Sequence, residues 1–254
     1  MKTAHDTHVQ NQFGPRANAY VESTVHAQGQ DLIDLAALAA RHVPSRAIDL
    51  GCGGGHVAYA MAPHAGQVTA TDLSADMLAV VAATARNRGF GNVETVQASA
   101  ENLPFEDAAF DFLGCRYSAH HWMDVDAGLR EGRRVLKTGA PAVFIDVYAA
   151  GHPLLDTHLQ TVELLRDTSH VRDYSIAEWT EKLARAGFAI GALQTWRLRM
   201  QFDTWIARMA TPAQFAETIQ ALQDSAPAEV RTHFAIEPDG SFMLDMVMIE
   251  AVAA

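Results

Sequence analysis

The sequence predicts an α/β fold in which a largely parallel sheet carries helices on both faces. Three observations lead there. Over residues 46 to 148, short apolar runs and helical stretches follow the order strand, helix, strand, helix, strand, strand, helix, strand, and helical crossovers between such runs give parallel strands. The run Ala142 to Tyr148 is apolar throughout apart from Asp146, which suits a sheet buried on both faces. Finally, Ala47-Ile48-Asp49-Leu50 breaks into Gly51-Cys52-Gly53-Gly54-Gly55 and a helix-compatible stretch from His56. Glycines let a ligand approach the backbone, and the first N–H groups of a helix point at whatever is bound.

In chain order, residues 1 to 12 are polar and read as loose, and Gln28 to His42 reads as an amphipathic helix with Leu32, Leu35, Leu38 and Ala39 on one face. Pro44-Ser45 stops it before the first strand. Gln67 to Thr71 is the second strand and ends in Asp72. Ser74 is a good N-cap for a helix from Ala75 to about Asn87, closed by Gly89. Val93 to Gln97 and Phe110 to Tyr117 supply two more strands. Asp124 caps a helix to about Lys137, followed by the strand at Ala142. Leu154, Leu155, His158, Leu159, Val162 and Leu165 have helical spacing. Ser175 to Glu178 is a capping box for a helix to Ala186, and a strand runs from Phe188 to about Arg199. Thr211 to Gln214 reads as a second capping box, opening a helix whose buried stripe is Phe215, Ile219 and Leu222. Phe242 to Val252 is apolar enough for an inner strand.

Composition narrows the function. The chain has 254 residues, is 49% hydrophobic and carries a formal charge of -11. That balance disfavours a nucleic-acid partner. Arg130, Arg133, Arg134 and Lys137 cluster, but with Glu131 and around a helix end. No early apolar core suggests a signal peptide, and no run approaches the roughly 18 apolar residues of a membrane span. A cytoplasmic protein without stable membrane insertion, monomeric or homodimeric, is the expectation. Cys52 and Cys115 form neither a disulfide framework nor a metal-ligand spacing.

The loop after the first strand departs from the dinucleotide fingerprint, because His56 stands where a glycine or alanine is required. Asp72 is placed to bind a ribose at the end of the second strand. Asp49-x-Gly51-x-Gly53-x-Gly55 followed by Asp72 resembles the class I S-adenosylmethionine-dependent methyltransferases. The phrase Ala100-Glu101-x-Leu103-Pro104-Phe105, the pair Phe110-Asp111 and His120-His121-Trp122-x-Asp124 look like the ubiquinone and menaquinone biosynthesis branch of that family, over roughly residues 13 to 148.

The resemblance implies a Rossmann-like, seven-stranded mixed sheet whose last strand is antiparallel and lies beside the fifth. It implies one domain over 1–254, with a cofactor-capping segment at about 1–43 and a substrate-side insertion at about 149–172. The cofactor is S-adenosyl-L-methionine, the product S-adenosyl-L-homocysteine, and the partner a small-molecule methyl acceptor at carbon, oxygen or nitrogen. Gly51, Cys52, Gly53 and Gly55 are expected to cradle the methionine carboxylate, with Asp49 near its ammonium and Tyr20 near the same end. Asp72 takes the ribose hydroxyls, and Leu73 and Met77 wall the adenine. Ser99, Ala100, Glu101, Arg116 and His121 join the cofactor site. Ser99 replaces the aspartate usual in the family, so adenine recognition there loses a charge. His120 is the candidate general base, facing the acceptor, while His121 supports the loop. A metal on His120, His121 and Asp124 is not expected, because no cysteine or third histidine stands at ligand spacing. The alternatives are an NAD(P)-dependent oxidoreductase and a non-catalytic S-adenosylmethionine-binding protein.

Overall fold

The protein's structure, a computed structural model, describes residues 3–14 and 29–254. Seven strands form one sheet in the order β3-β2-β1-β4-β5-β7-β6. The strands are β1 (Arg46–Leu50), β2 (Gln67–Asp72), β3 (Val93–Gln97), β4 (Phe112–Arg116), β5 (Pro141–Val147), β6 (Phe188–Met200) and β7 (Phe242–Ala253). The first five pair in parallel, and β7 lies antiparallel between β5 and β6. The mixed sheet with its last strand antiparallel is as the sequence implied.

Two apolar layers hold the helices to this sheet. On one face α2 (Gln30–His42), α3 (His56–Met61) and α4 (Ala75–Asn87) bring Leu35, Val57, Met61 and Val81 against Ala47, Phe112 and Val143. On the other, α5 (Val125–Val135) and α7 (Ile176–Ala186) press Leu129, Val135, Trp179 and Leu183 onto Ile48, Leu113, Phe144 and Ile249. Burial on both sides is why the central strands read as continuous apolar runs.

Beyond β5 the chain builds a third apolar cluster. Helix α6 (Pro153–Arg166) packs with α9 (Ala213–Asp224) and α10 (Ala228–His233), and α8 (Phe202–Met209) supplies Trp205. Leu159 and Val162 meet Trp205, Ile219, Val230 and the β7 residues Leu244 and Met246. Leu159, with Leu155 and Leu165 half-buried against the cluster, therefore serves packing, while Leu154 and Leu164 are exposed.

Several sequence expectations are corrected. Residues 4–13 are helical, not loose, forming α1 (Ala4–Phe13). Thr3 Oγ1 accepts from the Asp6 N–H at 3.0 Å while Thr3 N–H donates to Asp6 Oδ2 at 2.8 Å, a capping box with aspartate in place of the usual glutamate. The helix is held by polar contacts to distant loops: His5 Nε2 to the His121 carbonyl and Gln10 Nε2 to the Leu73 carbonyl. Helices α8 and α10 had no expectation. The Thr211 box does not form. Its hydroxyl donates to the Arg166 carbonyl instead, tying α6 to α9, and Pro212 is the cap without a side-chain bond. On α9 the buried positions are Ile219 and Gln223, while Phe215 and Leu222 are half-buried.

Candidate active site

Strand order reverses between β1 and β4, so the loops after their carboxyl ends diverge and leave a crevice. A cleft opens there, enclosing with its mouth about 970 Å³ of empty space. Its floor is the glycine loop. Gly51 has φ +70°, and a Cβ on it would lie 1.8 Å from Ser118 Oγ; only glycine allows β1 and β4 to hand over side by side. Gly53, at φ +46°, is different: a Cβ there would meet no heavy atom within 4 Å. That stretch of wall is bare backbone facing open space.

Asp72, at the end of β2, fastens this loop. Its Oδ2 accepts from the Gly53 N–H at 2.9 Å and its Oδ1 from Ser74 N–H at 2.8 Å. Burial pushes its carboxyl upward, and these two donors pull it back. Each oxygen keeps a lone pair for a hydroxyl in the cleft.

Of the expected cofactor residues, Gly51, Cys52, Gly53, Asp72, Leu73, Met77, Ser99, Ala100, Glu101, Arg116 and His121 line this one cleft. Asp49 does not reach it. Its side chain lies behind the loop, where Oδ2 accepts from the Ala58 N–H at 2.9 Å and Oδ1 has no hydrogen-bond partner. Burial pushes this carboxyl up to about 8, against the lowering effect of the Ala58 N–H. Gly55 is also off the wall. It gives close packing, since a Cβ would stand 2.8 Å from the Tyr59 ring and 2.9 Å from Val81. Tyr20 lies outside the described residues. Arg116 lines the cleft with its charge already engaged: its Nε is 2.5 Å from Asp31 Oδ2, both side chains buried, which ties α2 to the end of β4. Ser99 Oγ accepts from the Glu101 N–H at 3.2 Å.

Sequence reasoning missed Ser118 and Tyr117 after β4 on the cleft wall; Asp6, Val9 and Phe13 of α1, also on it, fall in the expected capping segment, though none was singled out as a site residue. Tyr117 has φ +53°, a conformation costly for a residue with a Cβ and concentrated at functional sites. That signal is absent from the sequence.

A second chamber of about 610 Å³ adjoins the first and shares Phe13, Tyr117 and His121 with it. Its lining mixes apolar residues, Val147, Leu198, Met200, Trp205, Leu244 and Met246, with polar and charged ones, His120, Glu163, Arg166, Asp167, Asp173 and Arg208. His120 opens to this chamber alone, and His121 to both. The two rings stand 4.2 Å apart in the turn Ala119–His121.

Their environments separate them. His120 Nδ1 donates to Asp146 Oδ1 at 2.6 Å. Burial alone would lower its pKa, but the Asp146 charge and hydrogen bond outweigh it and hold the ring at about 9. His121 is driven down to about 4, by burial and then by the His120 charge. Pairing with Asp146 favours the charged form of His120, which bears against the near-neutral base expected of it. His121 is a neutral imidazole donating Nδ1–H to the Ser169 carbonyl at 3.2 Å.

A parallel sheet with an antiparallel strand beside the fifth, and a glycine loop latched by an acid on the second strand, defines a class of group-transfer enzyme. The chain belongs to the class I S-adenosylmethionine-dependent methyltransferase family. Residues 48–144 match the model of a methyltransferase domain. The chain is 47% identical over 197 residues to the uncharacterized protein YafE of Escherichia coli, covering 78% of this chain and 95% of that one. It is 36% identical over 245 residues to the uncharacterized methyltransferase YcgJ of Bacillus subtilis, covering 94% and 97%. The YcgJ crystal structure superposes with a TM-score of 0.84 over 88% of this chain and 97% of that chain, at 35% identity. A ubiquinone/menaquinone biosynthesis C-methyltransferase of Sinorhizobium fredii is 31% identical over 143 residues, 55% of each chain. Family membership displaces the oxidoreductase alternative. No helix among the described residues is long and apolar enough to cross a membrane.

Proposed function

We propose that this protein transfers a methyl group from S-adenosyl-L-methionine to a small-molecule acceptor held in the second chamber. The observation that carries the reading is the shared wall: the glycine-loop cleft and the chamber meet at Phe13, Tyr117 and His121. When bound, the cofactor supplies an electrophilic methyl group, and the reaction is an in-line displacement governed by alignment.

The residues present fit that cofactor. Backbone at Gly53 faces the cleft without a side chain, as a ligand carboxylate requires. Asp72 combines a fixed carboxylate with free lone pairs for ribose hydroxyls. Leu73 and Met77 offer apolar contact to an adenine, and Ser99 offers a neutral acceptor to its amino group.

The chain then has to hold the acceptor. The chamber's apolar lining would take an apolar body, and its polar residues, led by His120, the polar reacting end. His120, bonded through Nδ1 to Asp146, would present its other nitrogen to an electron-rich acceptor; His121, on the shared wall and weakly basic, would position the acceptor beside the cofactor. Helix α1 closes the cleft against water through its contacts at Leu73 and His121.

Thermal denaturation with each ligand tests the cofactor. A bound ligand stabilises the folded state by mass action, so S-adenosylhomocysteine should raise Tm and NADH should not. The reverse pattern refutes the assignment.

A further inference from the structure

One cluster on the chamber wall has more negative charge than methyl transfer requires. His120 follows β4, Asp146 is in β5, and Asp173 lies between α6 and α7. One donor atom from each lies within 4.8 Å of the others. Both carboxylates are only 2% exposed. Asp146 Oδ1 is occupied by the His120 ring and by the Val147 N–H. Asp173 Oδ2 is buried and receives no hydrogen bond; His170 Nε2 lies 3.8 Å away, on a ring that burial holds in its neutral form. A fully buried carboxylate oxygen without a partner is costly, and this one stands beside an imidazole and a second carboxylate.

We propose that His120, Asp146 and Asp173 form a binding site for a divalent transition-metal ion, open to the acceptor chamber. One imidazole nitrogen and two carboxylate oxygens are the donors of zinc, manganese and iron sites. Ligands at about 2.0–2.2 Å from one ion lie no more than about 4.4 Å apart, so the three donors, within 4.8 Å of one another, need to draw together by a few tenths of an ångström on binding. His120 and Asp173 both line the chamber, so a further coordination position faces the acceptor.

The electrostatics agree. Burial pushes the Asp173 carboxyl well above its usual range, with Glu163 and Asp146 adding to the push and His120 opposing it. Burial raises Glu163 too, against Arg166 and His120. The ion's role rests on the methyl-transfer reading: with the ion bound His120 is a neutral ligand, and the ion takes over from its N–H in selecting an acceptor that can offer an oxygen, such as a phenol, enol or hydroxy acid.

The test is calorimetric titration of EDTA-treated protein with Zn²⁺ at pH 7, repeated in buffers of different ionisation enthalpy. The expected result is one ion per chain with release of at least one proton. Asp173→Asn and His120→Gln should each weaken binding at least about 10-fold, since losing even an outer-shell partner costs about 10–100-fold. Mg²⁺ should bind more weakly than Zn²⁺, because it disfavours imidazole. Unchanged affinity in either variant overturns the proposal. So does a wild type that shows no saturable binding, a result needing no folded variant. S-adenosylhomocysteine affinity, measured alongside, should be kept by both variants. Its absence from the wild type would count against the methyl-transfer reading and leave the metal site standing.

Discussion

Replacing Asp72 by asparagine keeps the shape of the side chain and removes its charge. In the native protein the two carboxylate oxygens accept from Gly53 N–H and Ser74 N–H at 2.9 and 2.8 Å. An asparagine can satisfy one of these; the other N–H then faces an amide NH₂. Losing one hydrogen bond to a charged acceptor costs about 1.5–3 kcal/mol. At about 2–4 °C per kcal/mol for a chain of this size, Tm should fall by about 3–12 °C. Cofactor affinity should fall as well, because the variant loosens the loop and presents a poorer acceptor to the ribose. The same energy per charged contact gives a loss of about 10–150-fold. Calorimetry with S-adenosylhomocysteine and a thermal scan read the two effects separately. A lowered Tm with affinity within threefold of wild type would make Asp72 a latch for the loop and nothing more. No change in either would refute the hydrogen bonds themselves.

Three further outcomes follow. Gly53→Val should cost about 1–2 kcal/mol of stability for its positive φ and abolish S-adenosylhomocysteine binding in calorimetry, since its side chain would stand in the cleft; retained affinity would make the loop purely structural. Leu159→Ala, deep in the third apolar cluster, should lower stability by about 2–5 kcal/mol in urea unfolding while the folded protein keeps its cofactor affinity; a selective loss of cofactor binding would contradict the packing role. His120 keeps its proton to about pH 9 when folded, against 6.5 for the free side chain, so its stabilisation is complete below pH 6.5 and is lost as pH rises through 9. In EDTA-treated protein, His120→Gln should therefore be less stable than wild type by a few kcal/mol at pH 6, with the gap closing by pH 10; a gap independent of pH would refute the His120–Asp146 pair.

The parallel strands and the glycine-loop cleft were legible because both follow from local sequence, whereas the place of β7 came only from the family resemblance. Apolar runs mark buried strands, and the glycines and Asp72 stand at strand ends, where a parallel fold collects its ligands. Helix α1 was not legible. Residues 4–13 have no apolar stripe, and their order comes from a capping box and from hydrogen bonds to Leu73 and His121, far along the chain. Asp49 was misplaced because its position in the motif says nothing about which side of the loop its carboxylate takes. The Thr211 box failed because a tertiary partner, the Arg166 carbonyl, competed successfully for the hydroxyl. The His120 cluster was invisible for a related reason. Its carboxylates come from positions 146 and 173, on separate elements, whereas ligand spacing was sought among neighbours.

The central claim, that the chain moves a methyl group from S-adenosylmethionine to a small molecule, is tested most directly by incubating the protein with methyl-labelled cofactor and a metabolite extract. Label should pass into a small, extractable compound, with wild-type protein active and Gly53→Val inactive. Label that stays on the cofactor with wild-type protein that binds S-adenosylhomocysteine, across extracts prepared from several growth conditions, would contradict it and favour a protein that binds the cofactor without catalysing transfer.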